Sequence, residues 1–133
     1  MVVLFIIGIL SAVAIPYMKG RTDAAKWSEG KAVAGSIRTA ARAFCAERGQ
    51  NFPYATAGIT LRDLGFSLYA FNDLVSDIDG KYLSEECYSI DFAGYDDYTI
   101  TVDASQSLRA DAPTSPRQIR LDNTGSFVEI EIP

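Results

Sequence analysis

The residues whose types and spacing could do chemistry are few. Asp77-Ile78-Asp79-Gly80 alternates oxygen-bearing side chains as a calcium-binding loop does, with Asn72 and Asp73 close by. Calcium is held by several carboxylate and carbonyl oxygens brought round one point. A complete loop of that kind also needs a glutamate at a fixed closing distance, and none stands there. The same four residues describe a solvated turn, so Asp77 and Asp79 are weak calcium candidates only. Asp91, Asp96 and Asp97 could in principle pair as acid and base, but nothing around them marks a substrate pocket, and hairpin charges facing water account for them. The chain has no histidine, which removes the commonest general base, the commonest metal ligand and any Ser-His or Cys-His nucleophile. Cys45 and Cys87 cannot complete a zinc site by themselves. The expectation is a protein that is not an enzyme and carries no cofactor.

The elements that must position these residues are bounded by composition. With 133 residues, 48% hydrophobic and 22% charged, the chain can build one packed core plus an appendage. Its net charge of −5 argues against general nucleic-acid binding, because affinity for phosphate backbones comes largely from cationic side chains releasing counterions. Lys19, Arg21, Lys26, Lys31, Arg38, Arg42 and Arg48 are scattered rather than clustered.

The first eighteen residues, MVVLFIIGILSAVAIPYM, carry no charge. A helix apolar on every face expects lipid or a partner's apolar surface. At the helical rise it spans about 27 Å, slightly short of a ~30 Å hydrocarbon core. Pro16 costs a helix hydrogen bond and invites a kink. Ala12-Val13-Ala14 would serve as a signal-peptide cleavage site, yet no basic residue precedes the apolar run. A plain single-pass anchor is a further reading.

From Lys19 to Gly49 the pattern becomes amphipathic. Val33, Ile37, Ala40, Ala41, Phe44 and Arg48 recur at spacings of three and four, one face of a helix. Eight alanines between Ala24 and Ala46 favour it, while Gly20, Gly30 and Gly35 weaken it. Arg48-Gly49 is a stop signal. Three segments follow: an apolar helix segment over 1–18, its amphipathic continuation over 19–49, and a head over 50–133. In the head, residues 50–86 read as a connection. Asn51-Phe52-Pro53-Tyr54 makes a turn, Thr60 to Gly65 a Thr-capped helical turn, and Asp73-Leu74-Val75 a second turn. Residues 87–133 read as sheet. Alternation marks strands at Tyr88-Ser89-Ile90-Asp91-Phe92 and Tyr98-Thr99-Ile100-Thr101-Val102, and again at Ile119-Arg120-Leu121 and Phe127 to Ile132. Gly94 to Asp97 and Asp122 to Ser126 turn the two hairpins, and Ala104 to Pro116 is a loop. The fold class is therefore α+β: a long N-terminal α-helix packed on a four-stranded antiparallel sheet.

The stretch Met1 to Tyr17, with Gly8 and Pro16 eight residues apart and the small residues Ser11, Ala12 and Ala14 between them, resembles the N-terminal helix of type IV pilins and type II secretion pseudopilins. The match covers about the first 25 residues. It implies a structural subunit of an extracellular filament, assembled with copies of itself by a pilus assembly machinery after residence in the inner membrane. Val2, Phe5, Ile6, Ile9 and Val13 would be the assembly helix, and Gly8 and Pro16 would bound a stretch that melts in the polymer, where extension costs least. In the family a processed aromatic residue and, a few positions on, a glutamate stand before this stretch. Neither precedes Met1, so the resemblance implies that Met1 is internal to the usual mature sequence. About six further residues would lengthen the apolar helix to ~36 Å. Export also implies a disulfide between Cys45 and Cys87, closing a loop of about 42 residues, worth about 4 kcal/mol in chain entropy. Two buried free thiols are the alternative. A secretion pseudopilin, or a membrane-anchored binding domain that never polymerises, are the competing functions. Adhesion, twitching, DNA uptake, secretion and electron transfer share one scaffold, and fold does not choose among them.

Overall fold

From Lys19 onward no stop signal precedes Gly49, and the computed structural model has one helix, α1, over Val2–Arg48. The structure describes residues 1–69, 72 and 74–130, without the side chains of 13–20. The assembly and kink roles expected of Val13 and Pro16 therefore lie outside the described side chains, as do Asp73 of the second turn and Ile132 of the last strand. Gly49 ends the helix: its φ of 76° is in the region that favours glycine, and its N–H donates to the Cys45 carbonyl at 2.9 Å.

The sheet has four antiparallel strands in sequential order: β1 (Tyr88–Gly94), β2 (Asp97–Asp103), β3 (Gln118–Asp122) and β4 (Phe127–Ile130). Tyr95 and Asp96 turn the first hairpin, with a register shift between Phe92 and Gly94. Alternation sends Tyr98, Ile100 and Val102 of β2 to the buried face and leaves Asp97, Thr99, Thr101 and Asp103 less covered. Ile119 and Leu121 of β3 continue that face. Against it lies the second part of α1, through Trp27, Ala34, Ile37, Ala41, Phe44 and Cys45. This stripe is rotated from the one expected: Trp27, Ala34 and Cys45 join it, Val33 and Ala40 are half-buried, and Arg48 is exposed. Arg48 instead lays its guanidinium over the rings of Phe44 and Phe52, at 5.4 and 5.5 Å from their centroids. Each fully buried apolar side chain in such a core contributes about 1.5–3 kcal/mol.

Side-chain hydrogen bonds tie the loops to α1. The Trp27 indole N–H donates to the Pro116 carbonyl at 2.9 Å, fixing the long β2–β3 connection. In the expected loop between Ala104 and Pro116, residues Ala104–Gln106 form a single 3-10 turn. Glu29 accepts from three successive backbone amides, Lys81, Tyr82 and Leu83, each at 3.2 Å. Gly80 packs against that carboxylate so closely that a Cβ there would fall 1.9 Å from Glu29 Oε1. The turn at Thr60 to Gly65 forms, but its polar contact runs the other way from a Thr cap. Thr60 donates both its amide and its hydroxyl to the Asp63 carboxylate, at 2.7 and 3.0 Å.

Candidate assembly surface

A helix apolar on all sides has no preferred face to bury, and the first part of α1 buries none. Val2, Phe5, Ile6 and Ile9 are 73%, 72%, 49% and 53% exposed. Val3, Leu4, Ile7 and Leu10 are exposed alike, and none of these side chains belongs to the core. A Cβ at Gly8 would meet open space, so packing within the chain does not demand glycine there. The helix is continuous through Gly8 in the isolated chain. Ser11 returns its hydroxyl to the Ile7 carbonyl at 2.8 Å, as helical serines do where no other acceptor is near. Among the described residues no helix is long and apolar enough to cross a membrane.

The cysteines depart from the expected disulfide: Cys45 and Cys87 are both buried free thiols. Cys45 lies beside Tyr54, whose hydroxyl donates to the Cys45 carbonyl at 3.3 Å and to the Gly49 carbonyl at 2.6 Å. Tyr54 in turn stacks on Phe92, at 5.8 Å between ring centroids. Cys87 precedes the other end of β1, five residues and about 17 Å of strand rise away from Phe92. Burial pushes the Cys87 thiol up, opposed in part by hydrogen bonds with Ser107 and Ser84.

The calcium candidates do not converge either. Asp77 accepts from the Ser67 amide at 2.8 Å, and Asp79 is ion-paired with Arg109. Among the described residues no group of three acidic, cysteine or histidine side chains could hold a metal. Sequence spacing places carboxylates along the chain, but loop partners decide which way they turn. Asp91, Asp96 and Asp97 are all exposed, Asp91 opposite Thr99 in the sheet and Asp96 in the hairpin turn.

Polar groups that sequence reasoning missed are structural. Tyr98 is buried in the core with its hydroxyl 3.4 Å from the Arg38 carbonyl, and burial raises its pKa, as it does those of Tyr54 and Tyr88. For Tyr88 the charges of Glu29, Cys87 and Asp79 add to the effect of burial. No local pattern around Glu29 announced its role, since the amides it holds lie more than fifty residues away. An open cavity of about 320 Å³ lies at the β1 side of the head, walled by Ile59, Leu61, Leu68, Tyr88 and Ile90.

Comparison with protein-family models, with characterised proteins and with solved structures finds no match to this chain.

Proposed function

We propose that the chain is a structural subunit of a type IV pilus-like filament, with its N-terminal helix as the assembly element. The observation that carries this reading is the division of α1. Eight large apolar side chains between Val2 and Leu10 stand exposed on a helix whose later part is anchored in a packed head. Exposed apolar patches of that kind mark surfaces that associate. In water, covering such side chains would return on the order of 10 kcal/mol per copy, before an association cost of roughly 4–15 kcal/mol. From lipid the gain is smaller, since hydrocarbon is as apolar as leucine, and close packing then guides association. Gly8, Ser11 and Ala12 supply small side chains for that approach. The pilin resemblance of residues 1–17 supports the same reading, and so does the architecture of helix and antiparallel sheet. Residence in the inner membrane before assembly, self-association and dependence on an assembly machinery belong to this proposal.

Phe5→Asp and Ile9→Asp test it, because neither side chain touches the head. Filaments should vanish from electron micrographs of cells making either variant, while the circular dichroism and melting of the head stay unchanged. Filaments of normal abundance would refute the proposal.

A further inference from the structure

The height of each loop of the head can be read along α1. The helix is continuous over Val2–Arg48, so each residue adds about 1.5 Å. Asp23 accepts the Thr114 hydroxyl at 3.1 Å, the Trp27 indole reaches the Pro116 carbonyl, and Glu29 holds the amides of Lys81, Tyr82 and Leu83. Ser107 donates its hydroxyl to the Tyr82 carbonyl at 3.0 Å, and Arg109 pairs with Asp79. The loops over 79–83 and 107–117 therefore lie together, beside residues 23–29 of α1. Asp23 stands five residues, about 7 Å, beyond Met18, where the charge-free run ends. The headgroup layer on one side of a bilayer is about 5–7 Å deep. With the charge-free run in hydrocarbon, these loops come down onto the headgroups.

This end of the molecule is charged unlike the rest. Over 19–29, 79–83 and 107–117 the sequence places Lys19, Arg21, Lys26, Lys81, Arg109 and Arg117 against Asp23, Glu29, Asp79 and Asp111. Cations are in surplus there, in a chain whose net charge is −5. Three of the four carboxylates are engaged within the chain, by Thr114, by the three loop amides and by Arg109. Two of the cations converge: the ammonium groups of Lys26 and Lys81 lie 5.4 and 5.3 Å from the centroid of one ring, that of Tyr82. Neither has a carboxylate within ion-pair distance among the described residues. Like charges gathered at one ring repel each other, and the ring face offsets only part of that. Side chains on a helix lean toward its N-terminus, which tilts Lys26 toward the charge-free run.

We propose that Lys26 and Lys81, gathered about Tyr82, dock the base of the head on a bilayer surface of anionic phospholipid. The occupant follows from charge and from height. A negative surface offsets the repulsion of the two ammonium groups, and a lysine near such a surface is attracted to it over about a Debye length. An aromatic ring with a polar tip suits the headgroup level. The acidic remainder of the head faces away from that surface. This inference rests on the membrane residence that belongs to the filament reading. It adds that the head is held against the bilayer before assembly, and that entering a filament requires release of this contact.

The test uses the whole chain reconstituted in vesicles of neutral phosphatidylcholine and in vesicles that also contain phosphatidylglycerol. A water-soluble acetylating reagent, read lysine by lysine by mass spectrometry, should modify Lys26 and Lys81 about fivefold more slowly on the anionic vesicles. Lys31, five residues further along α1 and set over the Phe127 ring, should react at one rate on both. High salt should remove the protection. Lys81→Glu, a change at an exposed side chain, should return Lys26 to its rate on neutral vesicles. Equal reactivity of Lys26 and Lys81 on the two kinds of vesicle overturns the docking and leaves membrane residence standing. So does equal protection of all three lysines, or protection of Lys26 that survives Lys81→Glu. A chain that does not float with either kind of vesicle overturns membrane residence, and this contact with it.

Discussion

The two parts of α1 have one backbone geometry and opposite relations to the rest of the chain. Residues 2–12 are exposed around the whole circumference, whereas residues 27–45 present a buried stripe to the sheet and polar side chains to water. The difference comes from side-chain distribution alone. Where charge is confined to one face, the helix finds its counterpart within the chain; where it is absent, the counterpart must come from elsewhere. A long helix can therefore be foldon and interface at once, and a substitution's effect depends on which part it strikes.

Paired alanine substitutions break that comparison most sharply. Ile37 is fully buried against the sheet, so Ile37→Ala should cost about 2–5 kcal/mol of head stability through lost burial and a residual cavity. Ile9→Ala removes a side chain that is 53% exposed and outside the core, and should leave head stability within about 0.5 kcal/mol. Urea denaturation followed by circular dichroism reads both. Equal losses would mean that the two parts of α1 unfold as one unit.

The contrast was legible in the sequence because both halves of it are periodic signals. Charge-free residues and a three-four repeat are local, and so is the two-residue alternation of Tyr98-Thr99-Ile100-Thr101-Val102 that gave β2 within a residue at each end. The rotation of the buried stripe toward Trp27 and Cys45 was not legible, since a repeat names a face only to within one neighbouring row. Asp77 and Asp79 show a different limit. Their spacing fits calcium, but Ser67 and Arg109, distant in sequence, take them. Cys45 and Cys87 stand as two buried free thiols, the alternative to the disulfide that export implies.

Glu29 gives the next effect in size and ties α1 to the loop before β1. Its carboxylate satisfies three amides of the loop before β1. Glu29→Ala would leave donors without that acceptor and should cost about 1–3 kcal/mol. Glu29→Gln keeps one acceptor oxygen and should cost less. Amide hydrogen exchange at Lys81, Tyr82 and Leu83 should quicken in the alanine variant while exchange in β2 follows only the global loss. Unchanged exchange at all three would show that the helix does not hold this loop.

The smallest effect concerns the β3–β4 turn, far from the apolar part of α1. Asp122 Oδ1 accepts the Thr124 hydroxyl at 2.6 Å and the Thr124 and Ser126 amides at 3.0 Å each. These bonds, with that to the Thr124 hydroxyl the largest, hold the Asp122 carboxyl below its usual pKa. A carboxyl depressed on folding contributes stability that is present above its unfolded pKa and is lost as pH falls through the folded one. The urea midpoint of the head should therefore decline slightly more on acidification in the natural chain than in Asp122→Asn, which cannot titrate there. The turn is exposed and solvent screens it, so the difference should be small. It should be confined to pH below about 4, where an ordinary aspartate begins to protonate. An identical acid transition in the two chains would place the acid-sensitive group elsewhere in the molecule.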